Sequence, residues 1–184
     1  MANSRPEADA CTFLDTDHKA VKKLFKAYEE LTHSKARDVD QKKRELAQEI
    51  CQELTVHATI EEEIFYPAVK GEVEDDMLDE AYVEHDGAKV LIAEIEAGGP
   101  DDEFYDAKVK VLSEMIEHHV KEEEQRVEGM FSQARAAGLD MDALADAMRA
   151  RGPRAVVVTI PGCGHAPALN TPAQFALVER FFNG

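Results

Sequence analysis

The chain contains no tryptophan, few aromatic residues and little positive charge. Its 21 Lys and Arg stand against 38 Asp and Glu, a formal net charge of −17 at pH 7. Such a balance repels phosphate backbones and anionic lipid, so neither nucleic acid nor a membrane is an expected partner. Cysteine is scarce too: Cys11, Cys51 and Cys163 are odd in number and show no C-x-x-C spacing. They read as reduced thiols of a cytoplasmic protein, against a disulfide framework or a zinc knuckle. No apolar run has the length of a membrane span. The opening MANSRPEADA lacks the apolar stretch of a signal peptide. Two catalytic signatures are also missing, the zinc-protease H-E-x-x-H and the hydrolase elbow G-x-S-x-G.

What remains is rich in Leu, Ile, Val and Ala, with an apolar content of 44% that suits a helical bundle better than a β-sandwich. A length of 184 residues allows one domain with a core plus an appendage. Apolar residues recurring at steps of three and four predict helices over about 12–33, 39–70, 75–97 and 102–137, with a shorter one at 141–151. Pro67 with Gly71 ends the second of these, Gly98-Gly99-Pro100-Asp101 the third, and Gly138 the fourth.

Each long helix carries a histidine in line with its apolar stripe. His18 follows Leu14 and precedes Val21, Phe25 and Tyr28. His57 and Glu61 continue Leu46, Ile50 and Leu54, and lead to Phe65. His85 lies among Leu78, Tyr82, Ala88, Ile92 and Ile95. His119 and Glu123 continue Val109, Leu112 and Ile116 toward Val127 and Met130. The pairs His57/Glu61 and His119/Glu123 share the i, i+4 spacing that puts two side chains on one helix face. His118/Glu122 is an alternative register of the fourth helix, but it runs on to Gln125, Arg126 and Gly129, so His119/Glu123 is favoured. His118 would then flank the site. Buried imidazoles and carboxylates need partners. Four histidines and two glutamates on inward stripes satisfy one another most simply by sharing metal ions. Ferritin-like Glu-x-x-His pairs are absent, because only Asp15 among the residues three before each helical histidine is acidic. The remaining members of the runs Glu61–Glu63 and Glu122–Glu124 read as solvated faces, as do Lys22, Lys23 and Lys26.

The order His, His-x3-Glu, His, His-x3-Glu resembles the hemerythrin-like, HHE cation-binding family. The segments that carry it are Asp17-His18, HATIEEEIFYP, VEHDGAKVLI and EHHVKEEE, spanning about 12–149. The resemblance implies an all-α, antiparallel up-down four-helix bundle over 12–150. It also implies two non-heme iron ions, oxo- or hydroxo-bridged, ahead of manganese or zinc. His18, His57, His85 and His119 would be imidazole ligands, and Glu61 and Glu123 bridging carboxylates. Mixed imidazole and carboxylate donors suit such metals. Oxygen-carrying members place two histidines one turn apart on the third helix, whereas Ala81 and Lys89 flank His85 here. The resemblance is therefore to the bacterial four-His, two-Glu variants, some implicated in iron–sulfur repair or in handling NO and peroxide. A site one imidazole short is more open, which favours reaction over reversible O2 carriage. Tyr82, Glu84, His118 or water are candidates for the gap. The expected ligand is a small diatomic or peroxide, and the expected assembly a monomer or homodimer. The aromatic-Pro close usual after the last Glu run is delayed by QRVEG and has Ser132 for Pro, so the helix is expected to run on. A non-redox metal-binding or partner-docking bundle is the alternative function.

The tail, 151–184, differs in character. Ala155-Val-Val-Val-Thr-Ile160 reads as a strand, Pro161 to Pro167 as a loop, and 171–183 as a helix. This resembles the last strand, loop and helix of an α/β-hydrolase, with His165 in the place of the base. Without a serine elbow that base has no acyl chemistry to serve, and no hydrolase activity is expected.

Overall fold

The computed structural model describes residues 9–151, and among them every regular element is helical. Helix α1 (Ala10–Thr32) starts at Asp9, whose carboxylate accepts from the Thr12 N–H at 2.7 Å. That satisfies one of the free donors of a first turn. Helix α2 (Val39–Ile60) passes through a π-helical turn, Glu61–Phe65, into the short α3 (Tyr66–Val69). Pro67 explains the change of winding. It has no N–H to give, and its ring collides with the carbonyl four residues back in a continued α-helix. The wider turn accommodates both faults. Gly71, at φ 82°, closes α3.

Helix α4 (Asp75–Ala97) has the expected bounds and stops at Gly98. The expected fourth helix is two. Helix α5 (Tyr105–Glu124) ends at Gln125, whose ψ of 129° leaves the helical region. Helix α6 (Met130–Ala136) begins after Gly129. The turn between them needs that glycine, since a Cβ there would lie 2.5 Å from the Gln125 backbone. Turning the chain buries Met130, Phe131 and Ala134 and leaves Val127 81% exposed, against its assignment to the inward stripe. Tyr82, also assigned inward, is 37% exposed. Gly138, at φ 76°, ends α6, and α7 (Met141–Arg151) follows.

α1 packs on α2 and α5, and α4 packs on the same two helices. Their apolar stripes form two clusters. One gathers Leu14, Phe65, Tyr66, Leu78, Phe131 and Met148, among others; the other gathers Val21, Phe25, Ile50, Leu54, Ile92 and Leu112. The histidines fall between them in sequence: His18 between Leu14 and Val21, His85 between Leu78 and Ile92. The polar layer is thus sealed by apolar side chains at both ends. None of the described helices is long and apolar enough to cross a membrane. The strand, loop and helix expected within 151–184, His165 included, lie outside the described residues.

Candidate metal centre

Six side chains from four helices and the π turn meet in this layer. His18, His57, His85, His119, Glu61 and Glu123 are all buried, with Glu61 at 0% and Glu123 at 1% exposure. Their inward atoms form two groups. His18, His57, Glu61 and Glu123 make the first; Glu61, His85 and His119 make the second, so Glu61 belongs to both. In the first, His18 Nε2 lies 2.9 Å from His57 Nε2 and 3.4 Å from Glu123 Oε2. Glu61 Oε1 lies 3.1 Å from His57 Nε2. In the second, His85 Nε2 lies 3.3 Å from both Glu61 Oε2 and His119 Nε2. Glu123 Oε2 is 3.6 Å from His119 Nε2. The two oxygens of Glu61 therefore address different histidine pairs. His118, by contrast, is 58% exposed on its side chain and lies 3.4 Å from Glu122 at the surface.

Every one of the four histidines turns Nε2 inward and Nδ1 toward an acid. His18 Nδ1 is 2.9 Å from Glu124 Oε1, His85 Nδ1 2.9 Å from Glu62 Oε1, and His119 Nδ1 2.8 Å from Glu84 Oε2. His57 Nδ1 is 3.6 Å from Asp17 Oδ2, beyond hydrogen-bond length. An ionised carboxylate can only accept, so in the three close pairs Nδ1–H donates, which leaves Nε2 as the nitrogen that faces inward. Proteins prepare imidazole for a metal in this way. Glu62 and Glu124, taken from sequence as solvated faces, are therefore part of the site.

The electrostatics make the same point. Two nitrogens 2.9 Å apart cannot both present lone pairs without a cation or proton between them. Burial disfavours a charged His57, but Glu61, with Asp17 and Glu123, outweighs it and holds the pKa up at about 10. Burial lowers that of His18, which then acts as acceptor. His119 is likewise raised, against its burial, to about 9 by Glu123, Glu84 and Glu61. Burial would raise Glu61, yet His57, His85 and His119 hold it well below the usual carboxylate range. Glu123, buried beside that charge, is pushed up to about 8.

The donor set fits a cation. Two of its inward atoms, Glu61 Oε1 and Glu123 Oε2, are buried with no hydrogen-bond partner, an arrangement that ordinarily costs about 1–3 kcal/mol per group. Ligands about 2.1 Å from one metal lie about 3.0–3.4 Å from each other at octahedral or tetrahedral corners, close to the spacings above. A cavity of about 140 Å³ opens against His18, His57, His85 and His119, walled by Val21, Leu54, Ala88, Ile92 and Ile116. It is an apolar approach to a polar centre.

One member escaped sequence reasoning. Tyr66 is fully buried and its hydroxyl reaches 3.0 Å from Glu123 Oε1, 3.3 Å from His85 Nε2 and 3.5 Å from Glu61 Oε2. α-Helical spacing steps from Glu61 to Phe65 and leaves Tyr66 off the stripe. The π turn corrects this by pairing the Tyr66 N–H with the Glu61 carbonyl, which stacks residue i+5 over residue i. Pro67 was the available signal. Of the residues considered for the gap in the ligand set, Tyr82 packs its ring on Tyr66 at 5.2 Å, Glu84 serves His119 from outside, and His118 is at the surface.

A helical protein with a buried layer of histidine and glutamate donors is the class of molecule that fold and site define: a metal-binding bundle. Residues 9–131 match the Hemerythrin HHE cation binding domain, and the chain belongs to that family. It is also 32% identical over 108 residues to a protein named DNA nickase from Nostoc sp. (strain PCC 7120), covering 59% of this chain and 29% of that one. The chain thus spans well under half the length of this relative. No solved structure shows a significant match.

Proposed function

We propose that this protein is a hemerythrin-like non-heme di-iron protein of antiparallel up-down four-helix form, which binds or reacts with O2, NO or peroxide, or senses or handles iron. His18, His57, His85 and His119 would hold the metal by Nε2, and Glu61 and Glu123 would bridge. The observation that carries this is the shared Glu61, whose two oxygens face two different histidine pairs at 3.1 and 3.3 Å. Iron held there supplies one-electron chemistry and an open position for a small ligand. The chain supplies the rest. Glu124, Glu62 and Glu84 orient three imidazoles. The apolar wall of the cavity admits small uncharged molecules and keeps bulk water from the donors. The second histidine that O2-carrying members place beside His85 is absent, Ala81 and Lys89 standing there instead, which favours reaction over reversible O2 carriage.

The nickase activity in the relative's name is not carried over, since a net charge of −17 opposes a DNA backbone. Iron loaded without oxygen and then exposed to air tests the proposal. Near-ultraviolet and visible charge-transfer bands should grow in air and be lost in His57→Ala. A colourless protein holding one zinc or none overturns it, and favours a non-redox metal-binding bundle.

A further inference from the structure

With Glu61 and Glu123 as bridges, each half of the centre has two imidazoles and a share of both carboxylates, Glu123 Oε2 lying 3.4 Å from His18 and 3.6 Å from His119. One further polar atom stands over the half that holds His85 and His119, Tyr66 Oη. Its distances to His85 Nε2 and Glu61 Oε2, 3.3 and 3.5 Å, match the 3.3 Å between His85 Nε2 and each of its neighbours Glu61 and His119. These are the spacings of ligands around one metal, and longer than good hydrogen bonds. The placement is imposed by the backbone: the π turn and Pro67 carry a residue off the α-helical stripe into the donor layer. Packing then locks the ring, with Tyr82 against it at 5.2 Å and Phe65 at 6.2 Å. Its remaining partner is Glu123 Oε1, to which the hydroxyl donates at 3.0 Å, so the buried oxygen lies among two carboxylates and one imidazole of the donor layer.

We infer that Tyr66 is the missing ligand, its phenolate oxygen completing the half of the centre formed by Glu61, His85 and His119. The inference rests on the metal-centre proposal above. The cation displaces the phenol proton, which leaves to solvent with the others that metal binding releases. The site then has seven protein donors, with an oxygen in place of the imidazole absent beside His85. A phenolate donor stabilises the ferric state, so the pair would be harder to reduce than an all-imidazole one.

Resonance Raman spectroscopy of the iron-loaded, air-oxidised full chain tests this. Excitation in the visible should enhance phenolate ring modes, and these should shift when the protein is made with ring-deuterated tyrosine. They should vanish in Tyr66→Phe, persist in Tyr82→Phe, and the reduction potential should rise in Tyr66→Phe. Iron bound at two per chain with no phenolate modes overturns the ligand assignment while leaving the di-iron proposal standing. Modes lost in Tyr82→Phe and kept in Tyr66→Phe overturn it as well. Failure to bind iron at all sinks the di-iron proposal instead. The isotope shift is read on the unmutated protein, so the test survives a variant that does not fold.

Discussion

Replacing Glu123 with glutamine should strengthen the chelated protein and disable the metal-bound one. Glu123 is 1% exposed, and its pKa, raised by burial and by Glu61, stands at about 8 against an ordinary 4.5. The sign follows from the direction of the shift. A carboxyl group with a raised folded value costs stability above its ordinary value, and the cost grows until the pH passes the folded one. At pH 7 the gap is 7 − 4.5, or about 2.5 units, worth about 3 kcal/mol at about 1.4 kcal/mol per unit. Glutamine has no such cost, still accepts from Tyr66, and can donate to the lone pair of His18. Urea unfolding in chelator should therefore show Glu123→Gln more stable by about 3 kcal/mol at pH 7, or roughly 6–12 °C in melting midpoint. The gain should close as the pH falls to 4.5. Saturating metal should reverse the order, because a thousandfold excess over Kd adds about 4.1 kcal/mol to the wild type and little to a variant lacking the second bridging anion. A chelated Glu123→Gln that is less stable than wild type at pH 7, or equally favoured at pH 4.5, refutes the reasoning.

The fourth-helix register gives a second outcome: His119→Ala should lower the metal count per chain by elemental analysis, while His118→Ala, at the surface, should leave it unchanged. Metal uptake should release about four protons at pH 7, one each from His57, His119 and Glu123, whose values of about 10, 9 and 8 all lie above that pH, and one from the Tyr66 phenol. Calorimetry in two buffers of different ionisation enthalpy counts them, and affinity should climb with pH; uptake without proton release contradicts the assigned protonation. Ala88→Leu, which fills part of the 140 Å³ cavity, should slow the spectral response to oxygen in stopped flow with the metal count intact. An unchanged rate would mean that small ligands arrive by another route.

Much of the centre was legible because burial and periodicity are coupled. A histidine in step with Leu and Ile must point where they point, and His18, His57, His85 and His119 all do. The remainder was hidden by departures from that period. Tyr66 enters through a π turn, which no 3.6-residue stripe reveals. The end of α5 at Gln125 was missed because Glu, Gln and Arg favour helix, while burial of Met130 and Phe131 decides for a turn. Val127 extended the stripe by sequence and yet lies at the exposed corner of that turn. Glu62 and Glu124 look like solvated acids in so acidic a chain, and Glu84 reads as a candidate for the gap in the ligand set instead of a partner of His119 Nδ1. Their role depends on which imidazole nitrogen faces out, and that is set by the packing of helices.

The central claim is that one buried layer holds two metal ions joined by shared carboxylates. Electron paramagnetic resonance of the oxidised, iron-loaded protein, with iron counted against chain in the same sample, tests it most directly. Two ferric ions bridged through Glu61 and Glu123 should couple, so the account predicts two irons per chain and almost no ferric signal. One iron per chain, or two with the full signal of isolated high-spin ferric ions, would contradict it.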